Sequence, residues 1–510
     1  MVEKQFKYPV LILYTIVLMG FFYTGYFNRL LLLPEGCDEF GYLNMAKAVS
    51  QGTLFKNHAH RPFDKDLLAY LKQSSHRFES SAHLICPPAY RLDTKRVKII
   101  NQYPPGTGIL LSPLPFDSRK IAFPAIVALL LVLFLFLAFK TKTGEITFFN
   151  INVIAVIAFL VFMASYFPQG FDNFSIVNSY APTFGMLLAA GYLLDKRPGM
   201  SIALLGMSTI FRIANVIIFV PFLFVYVGRG LNIGGCFSKE TIVRTVKAIA
   251  LLLVGGLGLY FLYVWVLLGN PLSPTYSEVD QGFALFKEIP GNISYYFGFF
   301  NRWFVFHIVV IGLMVCMGIM KKMPVRWIII STAIALFNYC FYFIHRVRIE
   351  YYPYASGIII AGILLQYAEE YIQTTKFRTM INYAGVLIFC AAVVCSIVWF
   401  PRQNSHQLFD DQIQAYNDCF SMYDVVWAEN RGGTVEYATG KADFRMVWGP
   451  EDTRKEILSW LHEHGYRQAL WMSEFGSEAF QTIVKKELKD IPLDYTVKAS
   501  PAFGTIFEIQ

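Results

Sequence analysis

Asp38 and Glu39 are adjacent carboxylates in the segment Pro34-Glu35-Gly36-Cys37-Asp38-Glu39, directly after the first long apolar run of the chain. Carboxylates at a membrane boundary are costly unless they are hydrated, paired or used. One of them could act as a general base toward a substrate arriving from the lipid. The pair could also be an interfacial acidic cap, or a helix start near Asp38, where negative charge is favoured. The polar stretch they open ends in Asn101-Gln102-Tyr103-Pro104-Pro105-Gly106-Thr107-Gly108. Tandem prolines cannot continue a helix and glycines permit close backbone approach, so this reads as a rigid turn back into the membrane. A third group is basic: His345, Arg346 and Arg348 crowd a short connection between two apolar runs. Arg212, with Asn215, interrupts the long apolar stretch 201–227.

The elements that must position these groups are apolar. Of 510 residues, 55% are hydrophobic, 17% aromatic and only 16% charged, and mean hydropathy is +0.44. The apolar residues fall in blocks of about 18–25, the length that spans a hydrocarbon core of about 30 Å. The spans read as 9–33, 121–139, 148–167, 181–194, 247–268, 303–320, 327–344, 354–368 and 381–400. The first is too long for a signal-peptide core and has no small-residue cleavage site after it, so it reads as a transmembrane helix. The chain is therefore expected to be a polytopic α-helical membrane protein with about 10–11 membrane segments.

Loop charge sets the orientation. Short loops are basic at Lys4 and Lys7, Lys140 and Lys142, Lys196 and Arg197, Lys321 and Lys322, and Lys376 and Arg378. The 228–246 loop is basic too, with Arg229, Lys239 and Arg244, whereas 168–180 has no Lys or Arg. A net charge of +8 thus reads as positive-inside bias rather than nucleic-acid binding. If 201–227 crossed once, every later loop would have the wrong sign. A broken re-entrant hairpin there keeps the alternation, with its turn buried in protein or facing a polar cavity. The N-terminus then lies in the cytoplasm. The outer face receives the loop 34–120, the loops 168–180 and 269–302, the connection 345–353 and the segment 401–510. The basic 345–353 connection breaks the rule, which suggests that its charge holds an anion at the membrane surface.

Residues 401–510 differ in character. A helix is expected at 453–464, with Asp452 or Thr453 as cap and Gly465 as stop, and another at about 477–489. Runs at 467–472, 494–498 and 504–509 read as strands. Together they make a small soluble α/β domain outside the membrane, beside a membrane domain at 1–400. The eight cysteines show no CxxC pair and no metal-ligand spacing. Cys37 and Cys86 share the long outer loop, where an oxidising compartment would allow a disulfide between them.

Taken together, these features resemble a known group. They are the acidic pair after the first span, the long first outer loop ending in Tyr-Pro-Pro-Gly, and the Arg-bearing break after an apolar run containing Gly. Gly-Asn-Pro-Leu at 269–272 and the basic loop running from Arg346 to Tyr352-Pro353 complete the set. The chain resembles the GT-C fold membrane glycosyltransferases, in the group of the protein O-mannosyltransferases and aminoarabinose lipid A transferases. The resemblance covers about residues 9–400.

It implies transfer of a sugar, with inversion, from a polyprenyl-phosphate donor to an acceptor hydroxyl on the outer face of a bacterial inner membrane. The residue matching Asp38 is the implied base, and cationic groups stabilise the departing lipid phosphate. Arg346 and Arg348, with His345, match the family's late basic loop, and guanidinium suits phosphate. Asp172 occupies the place of a second acidic residue in the next outer loop. Glu39 would support Asp38 or contact the acceptor, and Tyr42 and Tyr103 would line the substrate groove. Arg212 would either reach the lipid phosphate or satisfy carbonyls freed by the break. The aminoarabinose transferases carry a Lys in their Tyr-x-Pro-Pro region, absent here between Tyr103 and Pro113; phosphate contacts must come from elsewhere. No cofactor is required, although a divalent metal on Asp38, Glu39 and a third ligand is compatible with the pattern. The expected partners are the lipid-linked donor, membrane lipids and a lipid, glycan or protein acceptor. The rival readings are a transporter or lipid flippase, which inverted repeats would favour, and a non-catalytic membrane scaffold.

Overall fold

The computed structural model describes residues 9, 12, 14, 33–34, 37–55, 64–73, 84–87, 89–93, 98–166, 177–219, 222–223, 226, 239–273, 275, 290, 294, 302–341, 351–375, 378–399, 409–428, 432–445, 451–472, 495–500 and 504–509. The first span lies almost wholly outside them. The long polar loop between the first two apolar runs is itself folded. It holds helices α1 (Cys37–Ser50) and α2 (Asp64–Gln73), an antiparallel pair β1 (Tyr90–Asp93) and β2 (Lys98–Asn101), and the short helix α3 (Gly106–Leu111). Pro105 sits just ahead of α3, where a missing N–H costs nothing.

The helical body follows. Its members are α4 (Arg119–Thr143), α5 (Phe148–Tyr166), α6 (Phe184–Leu193), α7 (Pro198–Phe211), α8 (Lys239–Leu252), α9 (Gly258–Leu268), α10 (Arg302–Ile319), α11 (Val325–Phe341), α12 (Tyr351–Thr374) and α13 (Arg378–Trp399). Helix α4 ends where Gly144 turns left-handed and returns its N–H to the Lys140 carbonyl at 2.8 Å. Among the described residues, Phe116–Lys142 and Lys239–Leu268 are long and apolar enough to cross a membrane. Their outward positions carry large apolar side chains, including Leu129, Leu133, Phe136, Val254, Leu259, Leu262 and Trp265. A helix on a water-facing surface would place polar residues there.

Two expected spans differ in form. At 181–194 a single 3₁₀ turn, Ala181–Thr183, leads into α6, whose residues from Gly185 to Leu193 are all buried. Ten residues are too few for a full crossing, and α6 is instead enclosed between α4, α7 and α12. In 201–227 the break falls at Arg212. There α7 gives way to extended backbone (φ −147°, ψ 103°) and then to a 3₁₀ turn, Ile213–Ile218. Most of the return limb of the expected hairpin lies outside the described residues.

The C-terminal unit comprises α14 (Phe409–Phe420), β3 (Val425–Ala428), α15 (Gly432–Thr439), β4 (Ala442–Arg445), α16 (Glu451–Glu463), β5 (Gln468–Met472), β6 (Tyr495–Ser500) and β7 (Gly504–Ile509). The mixed sheet has the order β4-β3-β5-β7-β6, with β3 parallel to both neighbours and β7 antiparallel to both of its own. Strand β3 is buried throughout. Its side chains alternate between two cores, as a pleated strand requires. Val426 and Ala428 join Phe420 and Trp471, while Val425 and Trp427 join the core that continues into α1 and the helical body. The expected α/β character, helix α16 and strands β5, β6 and β7 are present; 477–489 lies outside the described residues.

Candidate functional site

Helix α1 begins at Cys37 and carries Asp38 and Glu39 in its first turn, where the helix dipole favours negative charge. Adjacent helical residues point about 100° apart, and the two carboxylates have different surroundings. Glu39 is 1% exposed and its Oε2 lies 2.8 Å from Lys120 Nζ, itself 5% exposed. Glu39 Oε1 accepts the Val177 N–H at 3.0 Å, and Lys120 Nζ donates to the Leu33 carbonyl at 2.7 Å. One buried ion pair thus ties together the chain ahead of α1, the start of α4 and the segment entering α6. Desolvation of two such charges is repaid only by this kind of close, multiply hydrogen-bonded geometry.

Asp38 is half-buried, and Tyr103 donates its phenol proton to Asp38 Oδ1 at 2.6 Å. The Tyr103 ring stacks on Tyr42, centroids 4.8 Å apart and planes 21° apart. It also lies directly over Gly41, where any Cβ would run into the ring. Asn101 fixes the approach, donating to the Gly41 carbonyl at 2.8 Å and accepting the Tyr103 N–H at 2.9 Å. Burial raises the Tyr103 pKa well above the usual phenol value, and the neighbouring Asp38 charge raises it further. Tyr103 therefore remains a proton donor to Asp38 at neutral pH.

The segment Val177–Tyr180 extends the site. Thr107 of α3 donates to the Asn178 carbonyl at 2.9 Å, and Asn178 Oδ1 accepts the N–H groups of Tyr180 and Ala181 at 3.1 and 2.9 Å. Arg212, at the broken end of α7, donates from Nη1 to Ser179 Oγ at 3.1 Å. Tyr354, in the first turn of α12, donates to the Tyr180 carbonyl at 3.3 Å and meets the Tyr180 ring edge-on. Val177 holds Glu39 and Ser179 holds Arg212. Two residues along a chain span at most about 7 Å, so the acidic turn of α1 and the Arg212 break share one face of the protein. At the break, Asn215 N–H returns to the Arg212 carbonyl at 3.0 Å and Asn215 Nδ2 donates to Ser208 Oγ at 3.1 Å. Part of the bracing at the break thus comes from Asn215.

Of the residues expected from sequence, Asp38, Glu39, Tyr42, Tyr103 and Arg212 come together here. Asp172, His345, Arg346 and Arg348 lie outside the described residues. The disulfide that the sequence left possible between Cys37 and Cys86 is not formed. Cys86 is buried in the core, whereas Cys37 Sγ lies 3.5 Å from Asp38 Oδ1. Lys120, Asn178, Ser179 and Tyr354 went unnoticed in the sequence. The available signal was a Lys at the head of an apolar run, which must find a partner or stay in water. Among the described residues no three His, Cys, Asp or Glu side chains converge as metal ligands.

A second charged cluster lies at the other end of α4. Lys142 Nζ is 3.0 Å from Glu369 Oε2 and 3.3 Å from Glu370 Oε1, and Tyr192 donates to Glu369. A cavity of about 430 Å³, lined by Lys142, Lys196, Arg197, Glu369, Glu370 and Gln373, opens beside it. Lys120 and Lys142 are 22 residues apart on one helix, a rise of about 33 Å. No protein-family model matches the chain, and no curated protein matches it.

Proposed function

We propose that the chain is a polytopic membrane glycosyltransferase of GT-C type that transfers a sugar from a polyprenyl-phosphate donor to an acceptor hydroxyl at the outer membrane face. The observation that carries this reading is the placement of the acidic first turn of α1 and the Arg212 guanidinium on one segment: Glu39, next to Asp38, accepts from Val177, and Arg212 donates to Ser179. An acid and a cation at one membrane boundary are what base-assisted displacement of a lipid phosphate needs. The membrane assignment is supported by α4. Its charged ends are about 33 Å apart, close to the thickness of a hydrocarbon core, and its outward face between them is apolar.

In the proposed reaction Asp38 takes the proton of the acceptor hydroxyl as its oxygen attacks the anomeric carbon. The bond from that carbon to the phosphate oxygen breaks, and the lipid phosphate leaves with the electron pair. One-step displacement from the opposite face inverts the anomeric centre. Tyr103 orients the Asp38 carboxylate, and the Glu39–Lys120 pair holds the helix turn that carries it. Arg212 serves the leaving phosphate. Helix α12 enters the bundle beside Arg212 at Tyr354, and His345, Arg346 and Arg348 precede α12 in the sequence and would add to the phosphate site. Nothing in this scheme calls for a cofactor. The outer-face position and a bacterial inner membrane belong to the same proposal.

The test is sugar transfer in membranes from lipid-phosphate donors, with the donor identified by mass spectrometry of lipid that co-purifies with the protein. Asp38→Asn should abolish transfer while leaving insertion and folding intact. Unchanged transfer by that variant would remove Asp38 as the base. A wild-type protein inert toward every lipid-linked sugar would instead favour transport or scaffolding.

A further inference from the structure

The helix that carries Asp38 is gripped from the C-terminal unit. Gly433, in the first turn of α15, lies against Phe40 so closely that a Cβ there would stand 2.5 Å from Phe40 Cγ and 2.8 Å from Cδ1. Real Cβ atoms do not approach that near, and Phe40 is wholly buried, so its ring has no open space to enter. The next residue, Thr434, donates its hydroxyl to the Pro34 carbonyl. Pro34 lies three residues ahead of α1 and Phe40 three residues into it, so the two contacts bracket Cys37, Asp38 and Glu39. Further along α15, Tyr437 stacks on Phe116, centroids 4.6 Å apart, and Arg119 lies 5.8 Å from that same ring. Arg119 directly precedes Lys120, the partner of Glu39. One eight-residue helix more than 300 positions later in the chain thus contacts Phe40, next to Glu39, and Phe116, four residues ahead of Lys120.

We infer that Gly433 is a positioning residue: through its contact with Phe40, and with Thr434 on Pro34, the C-terminal unit sets the first turn of α1 and hence the aim of Asp38. This gives the unit a regulatory task at the outer site, and it rests on the reading of Asp38 given above. A glycine is required because α15 and the Phe40 ring meet without room for a side chain. Any partner that tilts α15 would move Pro34 and Phe40 together, and would move the carboxylate between them.

Cys37 supplies a readout that does not depend on transfer, since its thiol is half-buried in the same turn. The full-length protein is alkylated with N-ethylmaleimide, and the Cys37 rate is followed by peptide mass spectrometry in wild type, Gly433→Ala and Gly440→Ala. Gly440 has φ +71° and open space where its Cβ would go, so its substitution strains the same unit without touching Phe40. Gly433→Ala should speed Cys37 alkylation at least about fivefold, through easier local opening of α1. Gly440→Ala should stay within about twofold of wild type. Adding Phe40→Ala, which removes the Cγ and Cδ1 atoms that the new methyl group would meet, should leave the pair with a smaller rise than the two single variants combined. In the transfer assay Gly433→Ala should lower kcat while leaving KM for the donor nearly unchanged, and its effect should again shrink when Phe40→Ala is already present. If Gly433→Ala fails to accumulate, Thr434→Val tests the same grip at Pro34 and should move the rate in the same direction. An unchanged Cys37 rate in the variants at the grip, or an equal rise in Gly440→Ala, would overturn the inference. Absence of transfer by wild type would defeat the glycosyltransferase reading and leave the Cys37 result standing.

Discussion

Replacing Glu39 by Gln removes one charge from a pair whose members are 1% and 5% exposed and 2.8 Å apart. The amide keeps an oxygen for the Val177 N–H, so shape and that hydrogen bond survive while Lys120 loses its counter-charge. Removing one partner of a buried pair typically costs about 3–5 kcal/mol, because the remaining charge stays in a poorly solvated site. Lys120→Met should cost a similar amount, by leaving the Glu39 carboxylate opposite a methyl group. The double variant removes both charges and should cost much less than the two singles together, with a coupling of about 2–3 kcal/mol. Reversible denaturant titration in detergent micelles measures all four proteins, with tryptophan fluorescence as signal. The pair is buried, so the coupling should persist at about 0.5 M salt, where a surface pair would be screened. Additivity within about 0.5 kcal/mol would refute the argument that this ion pair ties α1 to α4.

Other outcomes follow from the same geometry. Tyr103→Phe should lower transfer about tenfold or more by removing the phenol that orients Asp38 Oδ1, with wild-type yield of folded protein. The Tyr103 pKa is raised in the folded state, so its contribution to stability is present below the ordinary phenol value of 10.0 and is lost as pH climbs above it. A pH series of unfolding curves should show less alkaline loss in Tyr103→Phe than in wild type. Arg212→Lys keeps the charge but not the fork of donors. It should weaken retention of lipid phosphate in co-purification while Asp38-dependent steps remain intact. Lys142→Met should destabilise the protein by about 3 kcal/mol or more, because it leaves Glu369 buried without its cation. The same titration checks that value, and a change below about 1 kcal/mol would show that the cluster is hydrated.

Much of the scaffold was legible because its signals are local. Long apolar blocks, the prolines at 104 and 105 and Gly465 after α16 act through backbone sterics and hydropathy within a few residues of themselves. The break at Arg212 was legible for the same reason, as a charge and an amide interrupting an apolar run. The start of α1 at Cys37 agrees with one of the alternatives open for the acidic pair, a helix beginning near Asp38. The partners of those groups were not legible. Nothing near Glu39 in sequence announces Lys120, 81 positions away, and the Cys37–Cys86 bridge, possible from the sequence, is not formed; sharing a loop does not set the distance between two thiols.

By itself, the amino-acid sequence determined which stretches avoid water, where helices must stop, and which few charged residues stand at those stops. Hydropathy and backbone conformation are properties of short segments, and they need no knowledge of the remainder. Only the tertiary structure decided that Glu39 faces Lys120 while Asp38 faces Tyr103, that Ser179 draws Arg212 to the same face, and that Gly433 meets Phe40. Those choices depend on which distant surfaces pack together, and packing is settled by the whole chain at once.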